Sequence, residues 1–164
     1  MPNRPPKQKR SGKVNPPVSG ALASQLASAF LNASRLCMPI PGETGVEYKI
    51  DGKMVAPAVV CAAFSAEIGL KALLIKEGNF DPDVDCQHPP FPLFGKLSDH
   101  VQAAMIRAAG MDRASFELQL QNAKDVFVKW RYLNEIEHKS VNLDFVLKIV
   151  PAIESVARQA YPES

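Results

Sequence analysis

The sequence predicts an all-α bundle of four to five helices, with room for one small β-hairpin and a disordered basic tail ahead of the bundle. Three observations predict it. Apolar residues recur at three- and four-residue steps over four separate stretches, period-two alternation is confined to residues 46–55, and most glycines and prolines fall between the stretches. At 164 residues, 46% hydrophobic and 22% charged, the chain suffices for one domain with its own core.

Met1 to Ser19 is proline-rich and holds Arg4, Lys7, Lys9, Arg10 and Lys13 with no acid. Such a segment has little to bury and reads as a disordered tail, either a solubilising arm or a contact for RNA phosphates. Residues 20–164 form the single folded domain. The net charge of +2 therefore divides into a basic tail and a mildly acidic body.

From Gly20 to Cys37, Leu22, Leu26, Ala29, Phe30, Ala33 and Leu36 fall at helical spacing and predict an amphipathic first helix, stopped by Pro39 and Pro41. Val46 to Ile50 alternates apolar and charged residues, and Asp51-Gly52 supplies a turn before Lys53-Met54-Val55, which gives the hairpin. Pro57 suits the first turn of a second helix that runs to Glu77 and ends at Gly78. This helix is apolar on most sides. Its exceptions include Glu67 and Lys71, four residues apart in the favourable order for an ion pair; they either neutralise each other at the edge of the core or line a polar groove.

Asn79 to Pro92, with Asp81, Asp83, Asp85 and four prolines, reads as a solvated loop, because the glycine and glutamate that a calcium loop needs are missing. Ser98 or Asp99 caps a short helix from Val101 to Ala109 that Gly110 closes, with His100 exposed on it. Ser115 to His138 reads as one long helix with Phe116, Leu120, Ala123, Phe127, Trp130 and Leu133 toward the core. Asn142 caps the last helix, Leu143 to Ala160, which Pro151 should kink.

Cys37, Cys61 and Cys86 are three widely spaced thiols without a paired zinc or redox motif, and Cys86-x-His88 is too sparse for a metal site. Reduced thiols point to the cytoplasm, and no metal or cofactor is called for. The longest apolar run, Val55 to Ala66 with Ser65 in it, is followed directly by Glu67 and Lys71 and falls short of the roughly 20 residues that span a bilayer, so no membrane partner is expected.

Arg131 and His138 are seven residues apart, which on a helix returns a side chain to the same face about 10 Å further along. The pair has chemistry to offer. Histidine can move protons on and off an attacking 2′-hydroxyl and a leaving oxygen, and arginine can neutralise the phosphate. The alternatives are a histidine set against a helix dipole and an arginine packed on Glu135 or Glu67.

Ala62 to Leu74, with Phe64-Ser65-Ala66-Glu67 at its centre, resembles the second-helix signature of the HEPN family, the higher-eukaryote and prokaryote nucleotide-binding helical domains. His88 ahead of Leu93-Phe94-Gly95-Lys96-Leu97 resembles the family's histidine-then-leucine segment, and Phe127 to Tyr132 its terminal-helix segment. The resemblance spans Val55 to Ile149. It implies an all-helical bundle, often a homodimer, in whose nuclease branches an arginine and a following histidine cut RNA without metal. Arg131 and His138 would be the catalytic pair, with Glu67, Lys71, His88, Asn134 and Glu135 supporting them or lining the groove. Tyr132 departs from the polar residue common after that arginine. Two functions follow: a metal-independent endoribonuclease of toxin–antitoxin or defence type, or a non-catalytic module that binds nucleotide, RNA or a partner protein.

Overall fold

A computed structural model describes residues 19–38, 52–85, 90–123 and 144–162. Among them every regular element is helical: α1 (Gly20–Cys37), α2 (Gly52–Glu77), α3 (Pro82–Asp85), α4 (Pro90–Gly95), α5 (Asp99–Ala109), α6 (Arg113–Ala123) and α7 (Val150–Ala160), the last entered through a π-helical turn, Phe145–Ile149. The architecture is an all-α bundle, with seven helices among the described residues where four to five were expected of the whole chain.

The bundle is assembled around α2. This helix packs along α1 and against α7, and α4 meets it from a further side. Ala58, Ala62, Ala66, Leu70, Leu73 and Leu74 are buried along it. From Met54 to Glu77 it is long and apolar enough to cross a membrane by length and composition, and most of that length is buried inside the bundle. Lys53 to Val55 belong to this helix and not to a strand; Val46 to Ile50 lie outside the described residues. The apolar surface that begins at Met54 extends the helix N-terminally past Pro57, although proline leaves the Lys53 carbonyl without its helical donor.

Small residues set the spacing of α1, α2 and α7. A Cβ on Gly69 would lie 3.0 Å from Ile153 Cγ2, 3.7 Å from Ala27 Cβ and 3.9 Å from Ala157 Cβ, so three helices converge on one missing side chain. One turn earlier the buried Ser65 hydroxyl donates to the Ala27 carbonyl at 2.8 Å. Phe30 and Phe64 stack beside it with ring centroids 5.3 Å apart.

That close approach inverts the expected orientation of α1. Its buried face is Gly20, Ser24, Ala27, Leu31 and Ser34, whereas Leu22, Leu26 and Leu36 are exposed. Leucines facing α2 would hold the two backbones apart and forfeit the contacts at Gly69.

The proline-rich connection is more ordered than a solvated loop. Asp85 ends α3 fully buried, accepting from the Asp81 backbone N–H at 2.9 Å and from the Lys96 ammonium. A buried carboxylate needs such partners, so the acid fastens the end of α3 to the residue that follows α4. Beyond it Phe94 on α4 packs against Phe116 on α6, centroids 5.2 Å apart. Phe116, Leu120 and Ala123 are buried as their spacing predicts, and the rest of the long helix expected to His138 lies outside the described residues.

Helix ends follow local chemistry. Ser19, assigned to the tail from sequence, caps α1 by accepting from the Leu22 N–H at 3.3 Å. Gly78 and Gly110 take positive φ, 72° and 63°, to end α2 and α5. Before α7, the Val150 N–H bonds to the Phe145 carbonyl, five residues back. The wider turn moves the Leu147 carbonyl from the path of the Pro151 ring, so the proline is accommodated by a π turn.

Asp112, not Ser115, starts α6: its carboxylate accepts from the Ser115 N–H at 2.9 Å and the Ser115 hydroxyl at 2.7 Å, and these bonds lower its pKa. A carboxylate with a depressed folded pKa contributes stability above its unfolded value and loses it as pH falls through the folded one. Asp112→Ala should therefore lower the melting temperature at neutral pH more than Asp112→Asn, which keeps an acceptor. The gap between the variants and the wild-type protein should close on acidification below the usual carboxylate range, as thermal scans by circular dichroism would record.

Candidate functional site

Among the described residues a polar concavity lies where α1, the end of α2 and the end of α7 meet. Its volume is about 660 Å³, and it is open to solvent on one side. Gln25, Ser28 and Asn32 form its α1 wall, Lys76 comes from the last turn of α2, and Arg158 and Tyr161 come from the end of α7. The α1 residues fall at steps of three and four, so the helix period itself places them in one strip.

Tyr161 closes the floor. Its hydroxyl donates to the Ala72 carbonyl at 3.1 Å, and burial pushes its pKa up. Gly20 makes this possible, since a Cβ there would stand 1.9 Å from the hydroxyl oxygen. The Lys76 ammonium lies 5.0 Å from the ring centroid, a cation–π contact that holds the charge over the groove.

On the opposite wall Arg158 Nε lies 3.3 Å from Glu154 Oε1, and the Ser28 hydroxyl donates to the same oxygen. Glu154 thus offsets part of the arginine's charge and fixes its direction. Lys76 has no carboxylate partner among the described residues, so the groove keeps a net positive character with amide and hydroxyl groups beside it. It offers charge and hydrogen bonding to an anionic ligand, and nothing in it is arranged as a nucleophile with a base.

Of the residues singled out from sequence, Glu67 and Lys71 are described. They form an i, i+4 ion pair at 2.5 Å, with side chains 21% and 16% exposed, at the rim of the core rather than in this groove. Arg131, His138, Asn134, Glu135 and His88 lie outside the described residues. No group of His, Cys, Asp and Glu suited to hold a metal ion occurs among the described residues. Cys37 and Cys61 are free thiols, and burial together with the neighbouring Cys37 raises the pKa of Cys61.

Lys76, Arg158 and Tyr161 were missed in the sequence, where 82 residues or more separate the first from the other two. The signal that was present is the polar strip of α1, visible as Gln25, Ser28 and Asn32 at helical spacing. Compared with family models, with curated proteins and with solved structures, the chain matches none of them.

The floor makes a specific demand on Gly20. Gly20→Ala should expel the phenol into water, returning the Tyr161 pKa toward the ordinary tyrosine value in an ultraviolet absorbance titration. Tyr161→Phe, which loses only the bond to Ala72, should cost about 1 kcal/mol in denaturant unfolding. Gly20→Ala should cost more.

Proposed function

We propose that this chain is an RNA- or nucleotide-binding helical module of the HEPN kind, acting in the cytoplasm. The groove carries the proposal: Lys76 and Arg158 face a strip of amide and hydroxyl groups, the combination that contacts phosphate and sugar oxygens. The size of the space, about 660 Å³, is within the range of small-ligand sites. The mildly acidic body makes that local concentration of positive charge the more consequential, because affinity for a phosphate backbone follows the cations that can reach it.

The spacing of Arg131 and His138 favours a second reading, a metal-independent endoribonuclease of toxin or defence type. In it His138 transfers the protons of 2′-hydroxyl attack, Arg131 neutralises the phosphate in the transition state, and the groove holds the flanking strand.

Binding of a fluorescein-labelled single-stranded RNA, followed by anisotropy across a salt series, tests the first reading. The wild-type protein should bind with a salt-dependent affinity, and Lys76→Ala with Arg158→Ala should weaken binding and lower the salt slope by roughly 1.4, about 0.7 for each cation removed. Unchanged binding in that double variant would remove the groove from the proposal. Cleavage in excess EDTA, yielding 2′,3′-cyclic phosphate ends and abolished by His138→Ala, would establish the second reading. RNA bound but left intact under the same conditions would exclude it.

A further inference from the structure

The polar strip of α1 continues one turn beyond the groove. Gln25, Ser28 and Asn32 are followed by Arg35, so the steps run three, four and three and keep all four residues within about 80° of the helix circumference. Arg35 is the only charged residue of α1. It lies at the edge of the strip nearest the buried face, beside Ser34 and Leu31, and is itself partly buried.

One atom of this residue has no role in the fold. Arg35 Nε is buried without a hydrogen-bond partner, the only such side-chain nitrogen or oxygen among the described residues. A guanidinium N–H taken out of water costs free energy until an acceptor meets it. Its place in the last turn of α1 suits the charge, because the helix dipole favours any cation there, but the dipole does not explain the buried N–H.

Arg35 also puts charge at the second end of the strip. Gly20 beside Ile75 and Tyr161, together with the bond from Ser28 to Glu154, sets α1 antiparallel to α2 and α7. Lys76 and Arg158 therefore stand along the first turns of α1, whereas Arg35 lies about 15 Å past Gln25 by helix rise. Neutral amide and hydroxyl groups fill the interval.

We propose that Arg35 is a further phosphate contact and that the groove's ligand is a single RNA strand laid along α1, not a free nucleotide. This rests on the reading of the groove as an RNA or nucleotide site. A free nucleotide carries its phosphates at one end, so it meets Lys76 and Arg158 or it meets Arg35. A strand repeats its phosphate about every 3.4 Å when stacked, and one chain can place a phosphate at each end of the strip with ribose and bases over the amides between. The guanidinium takes its phosphate side-on, Nε and one terminal nitrogen donating to two oxygens, which supplies the acceptor that Nε lacks.

Anisotropy of a fluorescein-labelled single-stranded RNA on the full chain, with adenosine monophosphate as competitor, tests the proposal. Arg35→Gln should weaken RNA binding roughly tenfold and lower the salt slope by about 0.7, the share of one phosphate. Its melting temperature should not fall, because Nε gives up no hydrogen bond. Arg35→Lys should keep the slope and recover only part of the affinity, since it restores the charge without the paired bonds. Adenosine monophosphate should compete far more weakly than unlabelled RNA, with the same inhibition constant in the wild type and in Arg35→Gln; competition as strong as that of the RNA would overturn the strand. Unchanged affinity and slope in Arg35→Gln would overturn the contact, and the groove would survive that result if Lys76→Ala with Arg158→Ala still weakened binding. A loss of affinity matched by earlier melting, with Arg35→Lys no better than Arg35→Gln, would assign Arg35 to the fold and overturn its part in binding. A wild type that binds no RNA would remove the groove reading and this inference with it.

Discussion

The bundle depends on the distance between three backbones at Gly69. Glycine at the crossing lets α1, α2 and α7 meet with α2 contributing no side chain there, only the Ile153 side chain and the Ala27 and Ala157 methyls filling the gap. Helices normally pack about 8–10 Å apart, and the smallest side chains reach the lower end of that range. At that separation backbone groups come within reach of other helices. The Ser65 hydroxyl finds the Ala27 carbonyl, and the Tyr161 hydroxyl finds the Ala72 carbonyl over Gly20. Both bonds link α2 to an element distant in sequence, and both require a small residue at the point of contact.

Away from the crossing the bundle is held by larger groups and by charge. Phe94 and Phe116 join α4 to α6, and the buried Asp85 binds the connection after α2 to Lys96. The Glu67–Lys71 pair allows α2 to remain a core helix despite two ionisable residues in its middle. Each charge would be costly there alone, and one turn of helix brings them together.

Helix content and the main helix positions were legible because the period of apolar residues survives any arrangement of the helices. The buried face of α1 was not, because spacing arguments weigh large apolar residues above small ones. On α1 the leucines and the small residues each form a seven-residue pattern, and hydrophobicity favours the leucines. What decides between them is the approach of α2, a property of the pair of helices. The same limit hid Asp85, whose neighbours Asp81 and Asp83 are exposed while it is buried. An alternating acidic sequence reads as solvated until Lys96 is brought to it. The hairpin failed for a related reason, since Val55 favours strands locally but belongs to an apolar face continuous with the core of α2. Of the groove, the strip on α1 could be read from spacing. Lys76, Arg158 and Tyr161 could not, because they come together only when the ends of α2 and α7 meet over α1.

Close packing through small residues also explains how one helix can serve two purposes. A surface helix normally commits its large apolar side chains to the core and has polar ones left for water. On α1 the core contact is made by glycine, serine and alanine with Leu31, and Leu22, Leu26 and Leu36 are left exposed among the described residues. The tightness of the α1–α2 contact and the surplus apolar face of α1 are therefore one feature. The polar strip of Gln25, Ser28 and Asn32 lies between the buried face and the leucine face and supplies the groove wall, so core contact and groove share one helix.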